Sequence, residues 1–167
     1  MSEKTPVTTL DINLGCVSRN LNRVREQMNG KGVICVIKAF GYGTDDIALA
    51  KLLQKQNVEY LAVSCAYEGI RLRKAGVTSR ILILNPDNST FDDLGANDLE
   101  PTLLSMGHME AYIDWAKKGG WEDLPVHINL NTGMNRLGFE VSDHLELERI
   151  IVASDLTVAT VYSHLAG

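Results

Sequence analysis

A lysine closes the apolar run Val33-Ile34-Cys35-Val36-Ile37-Lys38, and Ala39-Phe40-Gly41-Tyr42-Gly43 follows it. An amine at the end of such a run either meets a carboxylate or gives up its charge. The neutral amine attacks carbonyl carbon and forms Schiff bases. Polar groups gather in two other places. His127, Asn129 and Asn131 alternate with Ile128 and Leu130, and Thr132-Gly133-Met134-Asn135-Arg136 comes next. Thr160, Tyr162 and His164 alternate near the end of the chain. Brought together, a lysine, two asparagines, an arginine and a histidine make a cationic site suited to an anionic ligand. Each also has a bland use: Lys38 as a strand end reaching solvent, Arg136 in a surface turn, His164 as a hydrogen-bonded structural group. Asn129 and Asn131 could satisfy loop backbone, Tyr42 could be an interface aromatic, and Gly41 and Gly43 only a turn.

The elements that must position these residues follow from apolar periodicity. Val33 to Ile37 reads as a strand buried on both faces, with Ile34, Val36 and Lys38 pointing the same way. Further strands are expected at Tyr60–Ser64, Arg80–Leu84, Leu99–Leu104, Val126–Asn131 and Thr157–Ser163, with a short one at Thr8–Ile12. Leu14, Val17, Leu21, Val24 and Met28 mark one helical stripe, ended by Asn29-Gly30. Asp45 is the expected N-cap of a second helix and Ser142 of the last. Met109, Tyr112, Ile113 and Ala116 mark a helix ending at Gly119-Gly120. Strand and helix alternate throughout, which predicts α/β architecture with parallel strands. No G-x-G-x-x-G opens the first helix after a strand, so a (β/α) TIM-type barrel is favoured over a dinucleotide fold. Only about six of the eight strands a barrel needs are present, and a barrel takes ~250 residues. The barrel is therefore expected to be incomplete. Its active site would lie at the C-terminal ends of the strands, where Lys38, Asn129, Arg136 and His164 fall.

A chain of 167 residues is enough for one domain with a real core. Its net charge of −5 offers no basic footprint, which argues against a nucleic-acid partner. Cys16, Cys35 and Cys65 show no CxxC spacing and read as reduced thiols of a cytoplasmic protein with no metal site. No run of about 18 apolar residues predicts a membrane span, and the N-terminal segment carries no signal-peptide core.

Three segments carry a resemblance. Val36-Ile37-Lys38-Ala39-Phe40-Gly41-Tyr42-Gly43 resembles the cofactor-lysine motif V-K-A-x-A-Y-G of alanine racemases. Asn131-Thr132-Gly133-Met134-Asn135-Arg136-Leu137-Gly138-Phe139 resembles their D-T-G-M-x-R-L-G-F, and Tyr162-Ser163-His164-Leu165-Ala166 their T-H-F-A. Order and spacing agree over Leu10 to Gly167. The resemblance implies that residues 1–167 are the N-terminal part of a fold type III barrel that binds pyridoxal 5′-phosphate. Lys38 would hold the cofactor covalently and act as one of two acid/base groups at the substrate α-carbon. Tyr42 would contact the cofactor phosphate, Arg136 the cofactor phenolic oxygen and the substrate carboxylate, and His164 the pyridine ring. The implied activity is interconversion of L- and D-alanine for peptidoglycan, in a cytoplasmic homodimer. The second catalytic base and the C-terminal β-domain of the family find no match here, so an inactive fragment is expected.

Two departures bear on the site. Asn129 stands where many relatives have a lysine, often carbamylated, which predicts that Asn129 and Arg136 share a bound anion such as chloride. Asn131 stands where aspartate is usual. Alternatives are a racemase of serine or of broader specificity, and a non-catalytic pyridoxal-phosphate-binding barrel.

Overall fold

Short apolar runs separated by amphipathic helices can bury both sheet faces only by laying strands parallel with helices outside. The computed structural model, which describes residues 8–165, takes this form. The strands are β1 (Ile34–Val36), β2 (Tyr60–Val63), β3 (Ile81–Ile83), β4 (Glu100–Leu103), β5 (Leu124–Leu130) and β6 (Leu156–Ser163). They pair in parallel in the order of the chain. The helical segments are α1 (Leu14–Gln27), α2 (Lys38–Gly43), α3 (Asp46–Lys55), α4 (Ala66–Lys74), α5 (Phe91–Ala96), α6 (Met106–Gly119) and α7 (His144–Val152). The sheet curls into an open half-barrel; among the described residues β1 and β6 are not paired.

The main core lies between the outer face of the sheet and the helices. Leu61, Val63, Ile81, Ile83, Leu103, Val126 and Ile128 pack there against Leu53, Leu72, Met109, Tyr112 and Ile113. A smaller cluster of Tyr60, Ala62 and Leu82, with Leu84 and Tyr162 against it, lines the inner face. Deeper on that face Glu100 is buried. It accepts from Tyr60 Oη (3.0 Å), from Arg80 Nε and Nη2 (2.8 and 3.0 Å) and from His127 Nε2 (3.2 Å). His127 Nδ1 lies 2.7 Å from Thr160 Oγ1. A buried carboxylate is tolerable because every neighbour donates to it.

Three expectations need correction. β1 is not buried on both faces: Ile34 and Val36 are 38% and 40% exposed. They stand on the inner face of an open sheet, where no opposing strand covers them. Thr8–Ile12 forms no strand. Leu10 there is 70% exposed, so the segment has no core contact to fix an extended shape. The expected α1 helix does form, with Leu21 its one buried residue among those described. Ser142 does not cap the last helix; a capping box between Glu140 and Asp143 starts a short 3₁₀ turn that leads into α7. Asp45, by contrast, caps α3 by accepting from Ala48 N (3.0 Å).

Candidate active site

Alternation along β1 puts Ile34, Val36 and Lys38 on one wall of a cavity of about 500 Å³ in the half-barrel. Tyr42, Asn129, Arg136 and His164 line the same cavity, together with Ala62, Ser64, Leu82, Leu84, Asn85 and Tyr162. Lys38 is half-buried, while Tyr42, Arg136 and His164 are exposed. The groups that the sequence places at strand ends thus surround one space, apolar toward the floor and polar at the mouth. A ligand with an apolar ring and anionic substituents fits that division.

The turn after Lys38 is unusual. Ala39, Phe40, Gly41 and Tyr42 all take left-handed helical angles, with φ of 52°, 54°, 66° and 56°. Gly41 N donates to Ile37 O (3.0 Å), and Thr44 Oγ1 donates to Gly41 O (2.5 Å). Gly41 has no room for a side chain, since a Cβ would lie 2.8 Å from both Leu49 Cδ1 and Thr44 Oγ1. Arg71 stacks on the Phe40 ring with its guanidinium carbon 4.7 Å from the centroid. The same guanidinium grips buried Asp46 through Nη1 and Nη2 (2.9 and 2.7 Å). Glu68 accepts from Ala39 N (2.7 Å) and from Ser64 N (2.7 Å). Glu68, Ser64 and Asn85 were not singled out from the sequence. Glu68 sits on a helix face like any solvated glutamate would, and its partner lies 29 residues away.

The loop bearing Arg136 is built around Asn131. Asn131 Oδ1 accepts from Asn135 N (2.9 Å), and Nδ2 donates to Glu140 Oε1 (2.6 Å). Phe139, 1% exposed, anchors the far end. There Phe139 N donates to Asn129 O (2.8 Å) and Asn131 N to Phe139 O (2.9 Å). Gly138 passes so close that a Cβ would lie 2.8 Å from Asn129 O, and its φ of 115° also requires glycine. Asn131 therefore serves the loop backbone, the bland alternative for it. His127 likewise belongs to the buried network with Glu100 and not to the mouth.

Asn129 is only 8% exposed, and its Oδ1 has no hydrogen-bond partner. An unpaired buried amide oxygen costs about 1–3 kcal/mol, so a donor placed here, whether water, ligand or a turned side chain, is stabilising. Near it, burial pushes the Tyr162 phenol above its ordinary pKa, partly offset by the hydrogen bond with Thr102 (3.0 Å). Among the described residues no cluster of three or more His, Cys, Asp or Glu could hold a metal ion. No described helix is long and apolar enough to cross a membrane.

Residues 12–167 match the family described as alanine racemase, N-terminal domain. The chain is 34% identical over 160 residues to an amino-acid racemase of Enterococcus faecalis, covering 95% of this chain and 22% of that protein. It is 34% identical over 166 residues to the alanine racemase of Aquifex aeolicus (strain VF5), covering 97% of this chain and 44% of the relative. Among solved structures, the alanine racemase of Clostridium difficile 630 superposes with a TM-score of 0.85 at 33% identity, over 93% of this chain and 42% of that one. The chain thus spans less than half the length of these relatives.

Proposed function

The chain belongs to the alanine racemase family through that family's N-terminal domain, and from that premise we propose that it forms the pyridoxal-phosphate-binding half-barrel of an alanine racemase. The observation that carries this reading is the convergence of Lys38, Tyr42, Asn129, Arg136 and His164 on one cavity. The residues suit the cofactor: an amine for the aldehyde, a hydroxyl and a guanidinium for anionic substituents, an imidazole to flank a ring. When bound, pyridoxal phosphate supplies a conjugated ring that acidifies the α-C–H of an attached amino acid. Lys38 would hold the cofactor through Nζ and, as a free amine, would move the α-proton. Tyr42 would bind the phosphate, Arg136 would hold the substrate carboxylate, and His164 would flank the ring. The opposing base, the homodimer and supply of D-alanine to peptidoglycan are properties we assign to the complete racemase.

Arg136 makes no ion pair among the described residues, and Asn129 carries no negative charge to orient it. We assign a halide-sized anion to the space between them, with the Asn129 amide turned so that Nδ2 donates. A bromide-soaked crystal should show an anomalous peak beside both side chains; an empty map there removes the anion.

The function is tested by titrating the chain with pyridoxal 5′-phosphate and following α-proton exchange of alanine in heavy water. Wild-type chain should turn yellow and exchange the proton of one enantiomer without inverting it, because Lys38 is the one base this reading assigns to residues 1–167. Lys38→Ala should do neither. Equal colour and exchange in both proteins would exclude Lys38 as the cofactor lysine.

A further inference from the structure

The turn after Lys38 is held in an unfavourable backbone shape, and one buried carboxylate grips it. Non-glycine residues in left-handed helical conformation are strained by their Cβ, and Ala39, Phe40 and Tyr42 all adopt it. Such strain persists only where the surroundings over-determine it. Glu68 is 8% exposed, yet its Oε1 and Oε2 are occupied by the backbone N–H groups of Ala39 and Ser64, both at 2.7 Å. Bonds from N–H to an ionised carboxylate are about twice as strong as neutral ones. A glutamate in the first turn of a helix ordinarily reaches back to its own N-terminus. Here one oxygen does so, at Ser64, while the other leaves the helix for the residue that follows Lys38. Ser64 is itself fixed, because its carbonyl accepts from Asn85 N (2.9 Å). One carboxylate thus ties the ends of β1 and β2 together at the rim of the cavity.

We propose that Glu68 is a positioning residue that locks the left-handed turn and so directs the Lys38 amine into the cavity. This rests on the reading of Lys38 as the cofactor lysine.

The test compares the 167-residue chain with Glu68→Gln and Glu68→Ala. One readout needs no cofactor: amide exchange at Ala39 and Ser64, with Cα and Cβ shifts of Ala39 to Tyr42, by nuclear magnetic resonance. The other is the rate at which pyridoxal 5′-phosphate becomes fixed to Lys38 under borohydride, read by peptide mass. In Glu68→Ala both amides should exchange roughly tenfold faster or more, the value of one lost charge-assisted bond, while Leu82 in the sheet keeps its rate. The left-handed carbon shifts should disappear, and capture at Lys38 should slow by about the same factor with surface Lys117 and Lys118 unaffected. Glu68→Gln keeps one acceptor and should fall between; it decides the matter alone if Glu68→Ala does not fold. Unchanged exchange and shifts, or faster exchange with unaltered capture, would overturn the role of Glu68. Should wild-type chain capture no cofactor at Lys38, the functional reading fails separately. The carbon shifts in the Glu68 variants then decide the clamp, and their retention overturns it.

Discussion

Two asparagines a strand repeat apart do different work because their neighbours differ. Asn131 needs its amide hydrogens: Nδ2 donates to Glu140 Oε1 at 2.6 Å, where an aspartate would set carboxylate against carboxylate. Asn131→Asp should therefore cost about 1 kcal/mol at neutral pH, read as a lower urea midpoint. The double variant with Glu140→Gln should regain most of it; equal losses in both backgrounds would refute the pairing. Asn129 faces the cavity instead, and Asn129→Leu, which removes the unpaired oxygen, should leave the free chain as stable as wild type or more so. Both residues were legible in the sequence as polar positions on one strand face. Which of them serves the loop and which the ligand was not, because that depends on Glu140, nine residues on, folding back beside Asn131.

At the scale of elements, the parallel strands and their helices were readable because each apolar run matches one buried face. The turn α2 was not readable. Gly41 and Gly43 signal a turn, but nothing in Ala39, Phe40 or Tyr42 announces left-handed backbone; it is imposed by Glu68 and Arg71 of α4. Gly41→Ala adds a Cβ 2.8 Å from Leu49 Cδ1 at a φ of 66°. It should destabilise the chain by about 1–3 kcal/mol, seen as a lower denaturant midpoint, and a neutral result would mean that the turn relaxes freely. The inner-face network has its own signature. Burial pushes the Glu100 carboxyl up, but hydrogen bonds from His127, Arg80 and Tyr60 outweigh it and hold the pKa below the usual carboxylate value. Burial and the Glu100 charge push Tyr60 up to about 12, so its hydroxyl stays a donor. A depressed carboxylate stabilises the fold above its unfolded pKa, and that contribution is lost as pH falls through the folded one. Unfolding midpoints should thus drop with acid more steeply in wild type than in Glu100→Gln; parallel pH profiles would count against this network.

For the whole molecule, the open sheet leaves apolar groups in water that a complete barrel would cover. Val161 is 58% exposed, and Leu145 and Val152 on α7 are 69% and 80% exposed. Among the described residues β1 and β6 each have one free edge, so the sheet offers a template for another strand. Sedimentation should show mass rising with concentration, and Val161→Lys should move the chain toward monomer; a monomer at all concentrations would contradict this. The cavity depends on the same curl, since its lining comes from both ends of the sheet. Borohydride reduction with pyridoxal 5′-phosphate, followed by peptide mapping, addresses the central claim most directly. The cofactor mass should fall on the peptide containing Lys38 at stoichiometric reagent and vanish in Lys38→Ala, whereas label spread over the surface lysines with Lys38 unmodified would contradict it.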